Sequence, residues 1–342
     1  MRVPAYVERA VSRTPASRNP SVLTFGQPMS FAGMDEDRPR LNRQMPEASM
    51  SQLSRRNFIK AGAVAGAVAT GTLPLHAATD PATEWVALGK SNMKVTRLAF
   101  GTGTRGGAVQ QALGQEDFTR LVRYAYDRGI RFFETAESYG DSQQMLATAL
   151  KGLPRGSYRL MSKVTTEDSG TPAERLNGLL RNSNTDYFDI MLLHVQHTPT
   201  WPEDTKKWQD AILEAQQKKT ILARGASIHG LPALRRVPDN QWLEIAMIRM
   251  NQKGVIMDAE SPFAHGPGNV TDVVDHVKQA RKNNLGVISM KLVGEGRFTS
   301  REDRQNSMRF AFQHAGVDAV TVGYKSKAEV DEAIENINLA FA

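Results

Sequence analysis

From Thr83 onward, short apolar runs alternate with longer stretches whose apolar residues recur every three or four positions. The short runs, bounded by turn residues, predict strands; the longer period predicts helices that bury one face. Val95–Gly101 reads as the first strand, and Glu116–Asp127 as the helix after it, with Leu121, Val122, Ala125 and Tyr126 near one face and Gly129 ending it. Ile130–Phe133 predicts strand two, Ser142–Leu150 a helix, and Tyr158–Val164 strand three. Pro172–Arg181 predicts a helix with Thr171 as N-cap and Pro172 in the first turn. Phe188–Leu193 follows as strand four, Glu203–Gln217 as a long helix, and Ile221–Ile228 as strand five with a short helix behind it. Trp242–Met250 is strand six, and Val270–Lys282 a helix capped by Asn269 or Thr271. Gly286–Leu292 is strand seven, Arg301–His314 a helix, Ala319–Val322 strand eight, and Ala328–Ile337 the last helix.

Strands alternating with helices imply a parallel sheet covered on its faces. Eight is the number that closes such a sheet into a (β/α)8 barrel with a side-chain-filled interior. The body, residues 79–342, is close to the usual barrel size of about 250 residues. A doubly wound open sheet is the competing architecture, but it calls for a Gly-rich phosphate turn after an early strand. The segment GTGTRGG at 101–107 is Gly-rich without the G-x-G-x-x-G spacing.

Composition changes this picture little: 40% of the chain is apolar and 23% charged, as in ordinary globular proteins. The formal charge of +7 is concentrated near the start. Residues 1–49 carry +2, residues 50–78 carry +3 and the whole body only +2, so the charge does not point to nucleic acid. Cysteine is absent, which excludes disulfides, thiolate catalysis and iron–sulfur ligation by this chain.

The leader has its own logic. Ser54–Lys60 reads SRRNFIK, followed by an Ala- and Gly-rich apolar stretch, Ala61–Leu73, then Pro74 and the small-residue exit His76-Ala77-Ala78. Basic, apolar and small segments in that order make an export signal, and the paired arginines resemble the twin-arginine pattern. The resemblance implies the twin-arginine export machinery as partner, cleavage after Ala77 or Ala78, and a periplasmic or otherwise exported bacterial protein. The apolar run falls short of the roughly 20 residues of a membrane span, so no stable span is expected after cleavage. Residues 50–78 are thus read as the signal. Residues 1–49, rich in Arg, Pro and Ser without a sustained period, are read as a disordered extension or an artefact of the start site, with Met50 as the native start.

Four polar residues stand where apolar runs stop: Glu134 and Tyr139 in RFFETAESYG, Lys163 in YRLMSKV and His194 in FDIMLLHVQ. In a parallel barrel all four meet at the carboxyl-terminal mouth, where barrel enzymes place their chemistry. A phenol, an ammonium, a carboxylate and an imidazole together suggest a tuned phenol acting as general acid. A free tyrosine has a pKa of about 10 and holds its proton at neutral pH. A neighbouring ammonium favours the phenolate and makes the phenol a readier donor.

FFETAESYG, MSKV, IMLLH and the closing VDAVTVGYKS, taken in order, resemble the aldo-keto reductase family, over nearly the whole stretch from Trp85 to the C-terminus. The resemblance implies transfer of hydride from a reduced nicotinamide to an aldehyde or ketone by an Asp, Tyr, Lys and His set. Tyr139, Lys163 and His194 match; Glu134 stands where the family has Asp, which implies an intact ion pair with altered geometry and slower turnover. For the cofactor, Ser227 matches the family serine that touches the nicotinamide amide, and Asn251 the asparagine nearby. Ile228 and Met247 depart from the family's Asn and Gln, and Met290 replaces its ring-stacking aromatic; Lys291 follows as a phosphate contact or a solvated strand end. Gly323, Lys325 and Ser326 match the segment around the adenosine 2′-phosphate, which favours NADP over NAD, while Asp331 stands at the family's further Arg. Trp201, in the loop after strand four, is read either as a wall of the carbonyl pocket or as an anchor of the loop.

Other readings compete. His194 and His197, with His229 and His265 elsewhere, are too scattered for the convergent set a catalytic metal needs. A lysine at a strand end also suits Schiff-base chemistry. The strongest rival is an exported barrel that holds a nucleotide as a redox sensor or partner subunit without steady turnover. Glu134, Ile228, Met247 and the export signal favour it, because free nucleotide is scarce outside the cytoplasm.

Overall fold

The computed structural model describes residues 80–166, 170–261 and 267–342. The expectations for 1–49 and 50–78, and for His265, lie outside the described residues. Eight parallel strands close into a barrel: β3 (Leu98–Gly101), β4 (Phe132–Glu134), β5 (Arg159–Val164), β6 (Phe188–Gln196), β7 (Ile221–Ile228), β8 (Ile245–Arg249), β9 (Gly286–Met290) and β10 (Ala319–Gly323). They are hydrogen-bonded in chain order, and β10 returns to β3. Each is joined to the next through helical segments on the outside, so the predicted (β/α)8 architecture holds.

Two apolar layers follow from the alternation of side chains along the strands. One face of each strand packs outward against the helices through residues such as Phe100, Phe133, Met191 and Ile248. The other fills the barrel with Ala99, Phe132, Met161, Ile190, Leu192, Ile245, Met247 and Ile288. The amino-terminal end is closed by an antiparallel hairpin, β1 (Trp85–Ala87) and β2 (Lys94–Thr96), which sends Leu88, Met93 and Val95 into the interior layer. Gly89 bridges this hairpin to Leu285, just before β9.

Departures from the predicted elements have local causes. The first predicted strand divides at Arg97: Val95 belongs to the hairpin and Leu98 opens the barrel strand. Strand six begins late because the Asn240 side chain accepts from the backbone N–H groups of Trp242 and Leu243, holding them in a turn. The predicted helix 203–217 begins at Trp201 and breaks at Thr205, whose hydroxyl donates back to the Trp201 carbonyl at 2.7 Å. The predicted helix 301–314 runs regularly only to Arg309 and then widens into a π-helical turn, Phe310–Ala315. Thr171 caps its helix in a reciprocal box with Glu174, and Asn269 is the cap of Val270–Lys282. No helix among the described residues is long and apolar enough to cross a membrane.

Strand four runs past its predicted end, and that matters for the site. On β6, Leu193 pairs with Ala226 and Gln196 with Ile228, so two residues, His194 and Val195, face the single residue Ser227. This is a bulge, with Val195 at φ +55°, and it turns the strand end that carries His194.

Leu88 is wholly buried at the end of the barrel opposite the mouth. Leu88→Ala is expected to cost about 2–5 kcal/mol through lost burial and a cavity, read as a lower urea midpoint, with the mouth chemistry of the folded protein unchanged.

Candidate active site

Glu134 is the last residue of β4, and Lys163 lies near the end of the adjacent β5. Tyr139 sits in the turn after β4 and leans over the mouth, where the Gly103 backbone passes close beneath its ring. A Cβ at Gly103 would lie 2.5 Å from the ring, so the GTGTRGG segment is glycine-rich there to let the phenol in. Burial leaves Lys163 with no exposed surface and Glu134 with 2%. An ammonium has three N–H donors and no acceptor. Lys163 spends them on the Glu134 carboxylate, the Thr135 carbonyl at 2.9 Å and the Tyr139 hydroxyl at 3.1 Å. Because the phenol oxygen accepts from Lys163, its own O–H is left for the mouth.

His194 lies edge-on to the Tyr139 ring, with centroids 5.4 Å apart. Its Nδ1 is 3.1 Å from the Ser138 hydroxyl, which leaves Nε2 as the other polar atom of the ring. His229, at the end of β7, stands 6.3 Å beyond. The structure thus brings Glu134, Tyr139, Lys163 and His194 together as expected. Ser138 and His229 join them, though neither was singled out as a member of this site in the sequence; nothing in a lone Ser or His marks such a role.

The electrostatics differ from the simple expectation. Burial, and then the charge of Glu295, raise the Tyr139 phenol above its ordinary value, so the nearby ammonium does not draw it down. Lys163 is itself pulled down, first by burial and then by Lys291, and its charge is directed at Glu134. Burial also lowers His194 well below the usual imidazole value, with Lys163, His229 and Lys291 adding to it. At neutral pH the mouth therefore presents a protonated phenol and a neutral imidazole.

A cavity of about 560 Å³ runs from Glu134 and Tyr139 past Met247 and Met290 to Lys325. That volume lies within the range of small-molecule and cofactor sites. Met290, Lys291, Gly323 and Lys325 line it. Ser227 is paired with the cavity residue Met247 across β7 and β8, and its hydroxyl is buried without a protein partner among the described residues. A buried hydroxyl in that state fits a carboxamide of a bound ligand.

Other residues singled out in the sequence already have protein partners. The Asn251 side chain donates to the Val255 and Lys291 carbonyls and accepts from the Val255 and Lys253 N–H groups, so it builds the turn after β8. Ser326 is the N-cap of the last helix, Lys327–Phe341, where its hydroxyl accepts from the Glu329 N–H. Trp201 is 1% exposed and donates its indole N–H to the Ala233 carbonyl at 3.2 Å, so it anchors the loop and does not wall the pocket. Lys291 is no solvated strand end: at φ +65° its half-buried ammonium is paired with Glu295 inside the cavity. Thr321, Glu295, Arg304, Glu329 and Glu332 also line the cavity and were not foreseen, since charged residues on strand ends and helices usually face water.

The fold is a (β/α)8 barrel with a phenol–ammonium–carboxylate mouth and an adjoining groove, and comparison with known proteins gives its family. The chain belongs to the aldo/keto reductase family, whose model matches residues 97–338. Residues 52–71 match the twin-arginine translocation pathway signal sequence. The chain is 26% identical over 280 residues to L-galactose dehydrogenase of Arabidopsis thaliana, covering 72% of this chain and 86% of that protein. It is 26% identical over 172 residues to the probable aldo-keto reductase 1 of Glycine max, covering 44% of this chain and half of that one. Among solved structures, an aldo-keto reductase from Klebsiella pneumoniae in complex with NADPH superposes with a TM-score of 0.55 at 19% identity, over 75% of this chain and 89% of its own.

The neutral imidazoles have a measurable consequence. An unfolded histidine takes up its proton near pH 6.5, whereas His194 and His229 in the fold do so only at lower pH. Their contribution to stability is complete above that value and is lost as pH falls below it. Asp258 and Asp318 act in the opposite direction: burial raises both to about 6, so they favour the fold as pH falls. The His194 share is isolated by comparison with His194→Asn, which should lose less stability between pH 7.5 and 5.5 than the parent. In the parent, the His194 ring should show no NMR titration midpoint near 6.5; a midpoint there would contradict this placement.

Proposed function

We propose that the protein reduces an aldehyde or ketone to the alcohol with NADPH, and that Tyr139 is the general acid. The observation that carries this reading is the direction of the hydrogen bonds at the phenol. Lys163 donates to the Tyr139 oxygen, so the phenol proton points away from the ammonium and toward the mouth. The bound nicotinamide would supply the hydride. Negative charge then grows on the substrate oxygen, and Tyr139 passes its proton there. Lys163 stabilises the resulting phenolate across 3.1 Å, and Glu134 stands against its amine as the counter-charge that opposes the effect of burial. His194, neutral and steadied through Ser138, offers Nε2 to orient the same oxygen.

The cavity residues suit a dinucleotide laid from Met290 toward Lys325. Soft, apolar Met247 and Met290 would face the nicotinamide ring, and the free Ser227 hydroxyl its amide. Lys325 supports the phosphorylated cofactor, because its ammonium is exposed and only loosely held by Glu329 at 3.9 Å. Asp331 does not oppose that, since its carboxylate is engaged with Tyr124 and Arg128. The twin-arginine signal supports export of the barrel in folded form to the periplasm, with residues 79–342 as the mature body.

Steady oxidation of NADPH with 4-nitrobenzaldehyde is the direct test. Tyr139→Phe should lower kcat by about 100-fold or more while NADPH binding, followed by fluorescence quenching, stays within about twofold of the parent. Tight nucleotide binding with no turnover in the parent would instead identify a barrel that holds its nucleotide as a sensor or partner subunit.

A further inference from the structure

Glutamate at position 134 carries its carboxylate one methylene further from the backbone than an aspartate would, between Lys163 on one side and Gly101 and Thr321 on the other. The strand order shows where it goes. β3 lies between β4 and β10, with Gly101 paired to Glu134 on one side and to Gly323 on the other. Gly101 has no side chain, and a Cβ built on it would lie 2.9 Å from Glu134 Oε2 and 2.7 Å from Thr321 Oγ1. The carboxylate therefore crosses over β3 through the gap at Gly101. Its Oε1 meets Lys163, and its Oε2 accepts a hydrogen bond at 3.3 Å from the Thr321 hydroxyl on β10. Both oxygens are fixed, one by the ammonium of β5 and one by a hydroxyl two strands away on the opposite side.

We propose that Gly101 and Thr321 form a receptor for the distal oxygen of Glu134, which makes Thr321 a positioning residue for the Glu134–Lys163 pair. Resting on the reductase reading for its catalytic consequence, this assigns Glu134 as a built counter-ion and not a displaced aspartate. Thr321 touches neither Lys163 nor Tyr139 by any hydrogen bond; it acts through the carboxylate. The groups that face Lys163 are Glu134 from β4, Tyr139 from the following turn, His194 from β6, His229 at the end of β7 and Lys291 after β9. Of these, only Glu134 favours the charged ammonium by its own charge, so a carboxylate free to swing lets Lys163 lose its proton at lower pH.

The test uses the full chain labelled at lysine Cε, with the Lys163 resonance assigned by Lys163→Met. Thr321→Val keeps the side-chain shape and removes the hydroxyl; its Lys163 titration midpoint should fall by about half a pH unit or more. Thr321→Ser, which retains the hydroxyl, should restore the parental midpoint, and Gly101→Ala should reproduce the valine effect by filling the gap. In turnover assays, Thr321→Val should lower kcat about tenfold and move the alkaline limb of the kcat profile to lower pH. In a Glu134→Asp background, where the carboxylate is drawn back from β10, Thr321→Val should add no further loss. An unmoved Lys163 midpoint in Thr321→Val, or an equal effect in both backgrounds, would overturn the proposal. Absence of turnover in the parent would count against the reductase reading alone, because the lysine titration is read without substrate or cofactor.

Discussion

A lysine ammonium with no exposed surface is the constraint around which the mouth of this barrel is arranged. Taking such an ion out of water costs several kcal/mol unless a counter-charge and hydrogen-bond acceptors replace the lost solvation. Lys163 has all three of its donors met by oxygen: a carboxylate, a backbone carbonyl and a phenol. Each partner comes from β4 or the turn that leaves it, so the pairing of β4 with β5 sets the positions of all of them. The phenol gains direction from this arrangement, since it can accept from the ammonium only with its own proton facing elsewhere.

The surrounding elements are shaped to that end. Gly103 lets the tyrosine ring approach the backbone of the first βα loop, and Gly101 opens the passage that the longer carboxylate uses. The bulge on β6 turns His194 to lie edge-on to the phenol. At the far end of the barrel, the Trp85–Thr96 hairpin excludes water from the interior layer, which lets charges at the other end interact in an apolar setting. The same burial raises the phenol and lowers both the ammonium and the imidazole, so the proton inventory of the mouth is a consequence of packing.

All four mouth residues were legible because they end predicted strands or follow closely, as Tyr139 does after Glu134, and the topology of a parallel barrel gathers strand ends whatever their separation in the chain. Ile221–Ile228 and Ser142–Leu150 appear in the fold with the predicted boundaries because turn residues flank strong local patterns. The hairpin was merged into the first strand because Val95 and Leu98 are equally apolar, and only the turn at Arg97 separates a plug from a staves-in-a-barrel strand. Asn251, Ser326 and Trp201 were assigned by type and position, yet their polar atoms are taken by neighbours in loops that no periodicity describes.

The amino-acid sequence alone determined the alternation of strands and helices, their number, and therefore the closed barrel and the end at which its polar residues collect. It also determined the export signal, since that depends on a contiguous run of basic, apolar and small residues. Tertiary structure decided which way each proton points, whether an ammonium is buried, and which side chain reaches across a neighbouring strand. Those properties depend on distances between residues far apart in the chain: Thr321 and Glu134 lie 187 positions apart and 3.3 Å from one another, and only closure of the sheet puts β10 beside β3.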